Sequence, residues 1–175
     1  NALENMDMSS LQEALNDLSE NMGQIEQELD RYLEIFKKFQ AEQKLDEIQN
    51  RMQQLFEQQQ ALDQELNEAK NIDEISTLER FAQEEERNLD EFENILSLME
   101  DAAEAIEPFS ESSADELSEL SDSEFSQDLE NSLNETIENL SQQNIADANS
   151  TSQESLNNME MMMQQMMNIK QGFSQ

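Results

Sequence analysis

Six methionines crowd one short stretch, Met159-Glu160-Met161-Met162-Met163-Gln164-Gln165-Met166-Met167. Thioether sulfur is a soft donor suited to Cu(I), and on a helix the spacings of three and four put Met159, Met162, Met163 and Met166 along one face as candidate metal ligands. The chain contains no His and no Cys, so the imidazole or thiolate that usually completes a copper site is missing. Methionine also fills apolar cores and adaptable docking faces. Core filling is the first reading of this string, docking the second, and binding of a soft metal or a polycation the third.

The other groups with chemical potential are carboxylates, 42 of them against 9 Lys and Arg, for a net charge of -33. Among so many, any pair spaced for general acid and base work is uninformative. No Asp-x-Asp-x-Asn-Gly calcium loop occurs, nor a phosphate-binding glycine loop or nucleophile elbow. The Asn-x-Ser/Thr triplets at Asn134, Asn139 and Asn149 are expected by chance in a chain this rich in Asn and Ser. We therefore expect no enzyme and no cofactor.

Charge also sorts the partners. From Asn88 to Ile169 there is no Lys or Arg, so nucleic acid, which is bound by cations that displace counterions, is a poor partner. An anionic membrane surface is disfavoured for the same reason. A protein partner, a polycation, or the rest of a longer chain suits this surface, and halophilic adaptation would also account for the charge. No run approaches the ~20 apolar residues of a membrane span, so no direct insertion is expected. The chain opens at Asn1 without an initiator Met or a signal region, which reads as an excerpt of a longer protein or a processed product.

The elements that must position these groups are helical. Met8, Leu15, Met22, Leu29 and Phe36 occupy one heptad position, and Leu11, Leu18, Ile25, Tyr32 and Phe39 its partner, without a miss. Such a seam predicts burial against other helices. A second seam, Leu45, Ile48, Met52, Leu55, Leu62 and Leu66, starts two residues late, a rotation of about 200°. That shift favours a turn near 40–44, although Gln40-Ala41-Glu42-Gln43-Lys44 contains no turn residue.

Asn71 and Asp73 mark the next break, as helix end and N-cap ahead of Ile75, Leu78, Ala82, Leu89, Phe92, Leu96 and Met99. Gln59 and Glu85 take core positions in the second and third seams, each thirteen residues from residue 72, so a fold-back there sets them facing each other; a solvated gap in a narrow seam is the first reading of the pair, and a polar layer that fixes helix alignment the second. Folding back near 42 would bring Ile25 to the same level. Pro108 closes the third helix, Ser113 with Glu116 has capping-box spacing, and Ser121-Asp122-Ser123 is a turn-prone cluster that splits off a short helix. Phe125 to Leu140 and about Asp147 to Ile169 form a hairpin joined near Gln142–Ile145, with Gly172 as the stop.

The fold class expected is all-α, an elongated antiparallel helical bundle or coiled coil of about five helices. Its parts are a long-helix bundle over 1–107 (helices 3–40, 44–70 and 74–106), a Ser/acidic connector over 108–124, and a C-terminal hairpin over 125–175 carrying the Met-rich helix. Leu29-Asp30-Arg31-Tyr32-Leu33, Lys44-Leu45-Asp46-Glu47-Ile48, Gln58-Gln59-Gln60, Asn144-Ile145-Ala146-Asp147-Ala148, Gln153-Glu154-Ser155-Leu156 and the Met/Gln tail together resemble the helical region of large bacterial membrane-anchored proteins of unknown function. The resemblance implies a bacterial source and a region tethered to the cell envelope, and it supplies no catalytic residues.

Overall fold

A computed structural model describes residues 2–69 and 74–175, with side chains from residue 8 onward. Five helices account for nearly all of them, α1 (Ala2–Glu68), α2 (Ile75–Ile106), α3 (Glu111–Ser121), α4 (Glu124–Ser141) and α5 (Ile145–Ser174), and no strand occurs among the described residues. The chain divides into two units, Asn1–Phe39 and Gln40–Gln175.

The first unit is a single helical segment. Its ten seam residues are exposed, from 53% at Phe39 to 71% at Met8, which corrects the expectation that they are buried. One helix cannot cover its own stripe, and among the described residues of this unit there is no second helix to do so. The turn expected near 40–44 is also absent, because α1 runs unbroken through Gln40–Lys44. Five good helix formers in a row outweigh the register shift. The shift marks instead where burial begins, at Ala41.

In the second unit the helices pack as a four-sided antiparallel bundle. Residues 40–68 of α1 and α2 run antiparallel, tied by Arg51 to Glu91 and Glu65 to Arg80. The run α3 then α4 fills one side against α2 and α5, the break at Asp122–Ser123 leaving two pieces where one column is needed. Leu45, Ile48, Met52 and Leu55 join Phe92, Ile95, Met99 and Ile106, Leu117, Leu129 and Leu133, and Met159, Met162, Met166 and Ile169 in one core. A separate cluster holds Leu62, Leu66, Ala69, Leu78, Phe81, Leu140 and Ala148.

Local details depart from expectation. Asn71 and Asp73 lie outside the described residues; Glu74 precedes α2 and makes no side-chain cap. Of the seam expected on α2, Leu78, Phe92 and Met99 are buried, Ala82, Leu89 and Leu96 are only half so and Ile75 is exposed, while Phe81 and Ile95, outside that seam, are buried in their stead. Ser110, not Ser113, caps α3: its oxygen accepts from Ser113 N at 3.2 Å, and Ser113 itself is buried inside the first turn. Gly172 does not stop α5, because Phe173 beyond it is buried in the core and holds the final turn in place.

The α4–α5 link is a Schellman turn, with Gln143 N donating to Leu140 O and Asn144 N to Asn139 O. It requires Gln143 at φ 62, a left-handed conformation that costs a side chain roughly 1 kcal/mol. Gln143→Gly is therefore expected to raise the stability of the protein by about 0.5–1 kcal/mol in urea denaturation. A lower midpoint would mean that the side chain contributes more than its backbone conformation costs.

Candidate docking face and internal polar layer

Two features stand out chemically. The first is the 8–39 seam, ten apolar side chains on one helix, each more than half exposed, flanked by Leu33 and Ile35, which are exposed as well. Monomeric proteins seldom expose contiguous apolar patches beyond a few hundred Å², and larger ones mark interaction sites. The stripe exists because Leu, Met, Ile and aromatic residues recur every three or four positions on a helix without interruption.

The second is a polar layer inside the bundle. Gln59 Nε2 donates to Glu85 Oε2 and to Ser152 Oγ, both at 3.0 Å, while Asn88 Nδ2 donates to Gln59 Oε1 at 3.0 Å. The structure thus brings Gln59 and Glu85 together and adds Asn88 and Ser152, which sequence reasoning missed. The turn near 42 that was to bring Ile25 to this level does not form, and α5 contributes Ser152 to the layer. Asn88 was findable: Leu78, Phe81, Glu85, Asn88, Phe92, Ile95 and Met99 alternate by three and four, a stripe that admits two adjacent polar positions.

Glu85 is fully buried. Burial pushes its carboxyl up to about 8; the amides of Gln59, which donates to it, and of the neighbouring Asn88 oppose this, and the Asp63 carboxylate nearby adds to it. Its Oε1 has no hydrogen-bond partner, nor does Asn149 Nδ2. At neutral pH the group is therefore largely a neutral acid, held by its neighbours rather than poised as a base.

Small hydroxyls continue the layer between α4 and α5. Ser132 and Ser155 share a hydrogen bond at 2.7 Å, as do Thr136 and Thr151. Each pair also bonds carbonyls of its own helix, Thr136 to Ser132 O and Ser155 to Thr151 O, so these polar groups are satisfied where two helices approach closely.

The methionines divide. Met159, Met162 and Met166 are fully buried in the core, Met163 packs against it in part, and Met161 and Met167 are exposed. The face considered for copper is the face that α5 turns into the bundle. A triple variant with leucine at 159, 162 and 166 is expected to keep its helical content and cooperative melting, at a cost below about 1.5 kcal/mol per site, since the swap nearly conserves volume. Loss of the folded state would assign the thioethers a role that packing does not explain.

Elsewhere on the bundle, a surface groove of about 700 Å³ between α1 and α2 is lined by residues including Arg51, Glu65, Glu84, Arg87 and Glu91. Arg51 grips Glu91 through two nitrogens at 2.7 and 2.9 Å, and Arg80 bridges Glu65 and Glu84, each at 2.8 Å. These ion pairs are partly exposed and contribute little net stability. Among the described residues no three Asp, Glu, His or Cys side chains converge as metal ligands, and no helix is long and apolar enough to cross a membrane. No protein-family model, curated protein or solved structure matches this chain.

Proposed function

We propose that this chain is a non-catalytic, acidic helical docking module of a larger bacterial protein, in which residues 8–39 present the docking face and residues 40–175 form a self-contained folded body. One observation carries the reading: the seam from Met8 to Phe39 keeps heptad spacing over five repeats, yet all ten side chains face solvent. A stripe of that regularity is matched to another helix, because heptad knobs need the holes of a facing helix to be covered. The bundle supports the same reading from the other side. It buries its own seams, and its internal polar layer is occupied by mutual hydrogen bonds rather than opened toward a substrate.

A photo-crosslinking residue at Leu18, on the seam, compared with one at Glu20, on the far side of the same turn, tests this in cells that make the full-length protein. A covalent protein product is expected from position 18 and none from position 20, and Leu11→Asp with Ile25→Asp is expected to abolish it. Equal products from both positions, or none from either, would overturn the docking reading.

A further inference from the structure

The occupant of the 8–39 face follows from its symmetry, its size and its charge. Laid against an antiparallel copy of itself about a centre between Gly23 and Gln24, the seam matches end to end. Met8 meets Phe39, Leu11 meets Phe36, Leu15 meets Tyr32, Leu18 meets Leu29, and Met22 meets Ile25. Every layer then pairs one heptad position with the other, as antiparallel knobs-into-holes packing requires. The aromatic half, Tyr32, Phe36 and Phe39, falls on the slimmer Met and Leu side chains of the other half. A parallel pairing would instead set Phe on Phe and Tyr on Tyr in successive layers.

Charge selects the same direction. Residues 8–18 hold Glu13 and Asp17 and no base, a net of two negative charges. Residues 29–39 hold Arg31, Lys37 and Lys38 against Asp30 and Glu34, a net of one positive charge. The antiparallel match sets these two stretches against each other at both ends, where a parallel one sets like on like. Flanking positions agree: on the same side of the pair Ala14 comes opposite Ile35, and Gln12 opposite Leu33, so the wide part of the stripe meets uncharged side chains. Ten side chains, each more than half exposed, hold on the order of 1,000 Å² per copy, comparable with the ~800 Å² per partner of a stable complex.

We infer that the partner of this face is a second copy of the chain, docked antiparallel along residues 8–39. This rests on the docking reading above and adds the partner and its direction. The chain has no cysteine, so introduced thiols report orientation cleanly. Sedimentation equilibrium of the full chain at on the order of 100 µM is expected to give a dimer. Leu18→Cys and Leu29→Cys proteins, mixed and oxidised, are expected to form the mixed disulfide in preference to either self-linked product, by at least about tenfold. Leu18→Asp is expected to leave a monomer whose bundle melts as before. A monomeric wild-type protein would overturn the second-copy assignment, and preferential self-linking of each cysteine variant would overturn the antiparallel one. In either case a seam-dependent product from the Leu18 photo-crosslink, of a mass that identifies another protein or a parallel copy, leaves the docking reading standing.

Discussion

Phe92→Ala is expected to destabilise the bundle by about 3–5 kcal/mol, while Phe36→Ala, the same deletion on the same kind of helix, shifts the bundle's transition by less than about 0.5 kcal/mol. Phe92 has no exposed surface and sits in the main core among residues of all the bundle's helices; Phe36 is 56% exposed. Truncating the first removes transfer free energy and leaves a cavity that close-packed neighbours fill only in part. Truncating the second removes a side chain that belongs to neither core cluster of the bundle. Against the 5–15 kcal/mol typical of a folded domain, the Phe92 loss is a large fraction, readable as a lower urea midpoint at unchanged slope. Equal effects at the two positions would mean that the 8–39 stripe is as much a part of the bundle's core as the seam beyond Ala41.

The second large effect concerns pH. Glu85 carries its proton up to about pH 8, against an ordinary 4.5, because burial penalises the carboxylate. The native state therefore binds a proton more tightly than the unfolded chain does, and stability declines as pH rises through that interval. The contribution is fully present below 4.5, fades between 4.5 and about 8, and is gone above. Glu85→Gln keeps the shape and still accepts from Gln59 but has no charge to bury. Its advantage over the wild type is expected to be near zero at the acid end and to grow toward the order of 4 kcal/mol on the alkaline side. Taking the difference between the two proteins cancels the repulsion among the other carboxylates, which both share. Urea midpoints measured from about pH 5 to pH 9 test it; a difference that stays flat would mean that Glu85 ionises in place, with water at its side.

Much of this architecture was readable from spacing. The seams beyond Leu45, the end of α2 before Pro108, the hairpin of α4 and α5 and the facing of Gln59 and Glu85 all follow from helical period and turn chemistry. What escaped did so for physical reasons. A heptad stripe says that a face is apolar, not which helix covers it, so Met8 to Phe39 and Leu45 to Leu66 look alike although only the second is buried. A register shift can be made by a turn or by a change of neighbours, and only propensity at 40–44 favoured the continuous helix that forms. The layer's smaller members Ser132, Thr136 and Ser155 are invisible to a count of apolar residues, because hydroxyls that bond back to their own helix sit in cores at little cost, and Ser152 is as small and takes its bond from Gln59. Of the candidate face over 8–39, every residue was legible; its exposure was not.

The hydrogen-bonded layer cuts the bundle's interior into blocks of unequal size. On α1 it falls between Leu55 and Leu62, on α2 between Phe81 and Phe92, on α4 between Leu133 and Leu140, and on α5 between Ala148 and Met159. Among the described residues the block around Leu62, Leu66, Phe81 and Leu140 is the lesser by far. Cooperative opening follows buried apolar contact, so the amides flanking that block exchange with solvent ahead of those around Ile95 and Met162. Opening of the bundle is expected to start in the block that holds Leu62, Leu66 and Phe81.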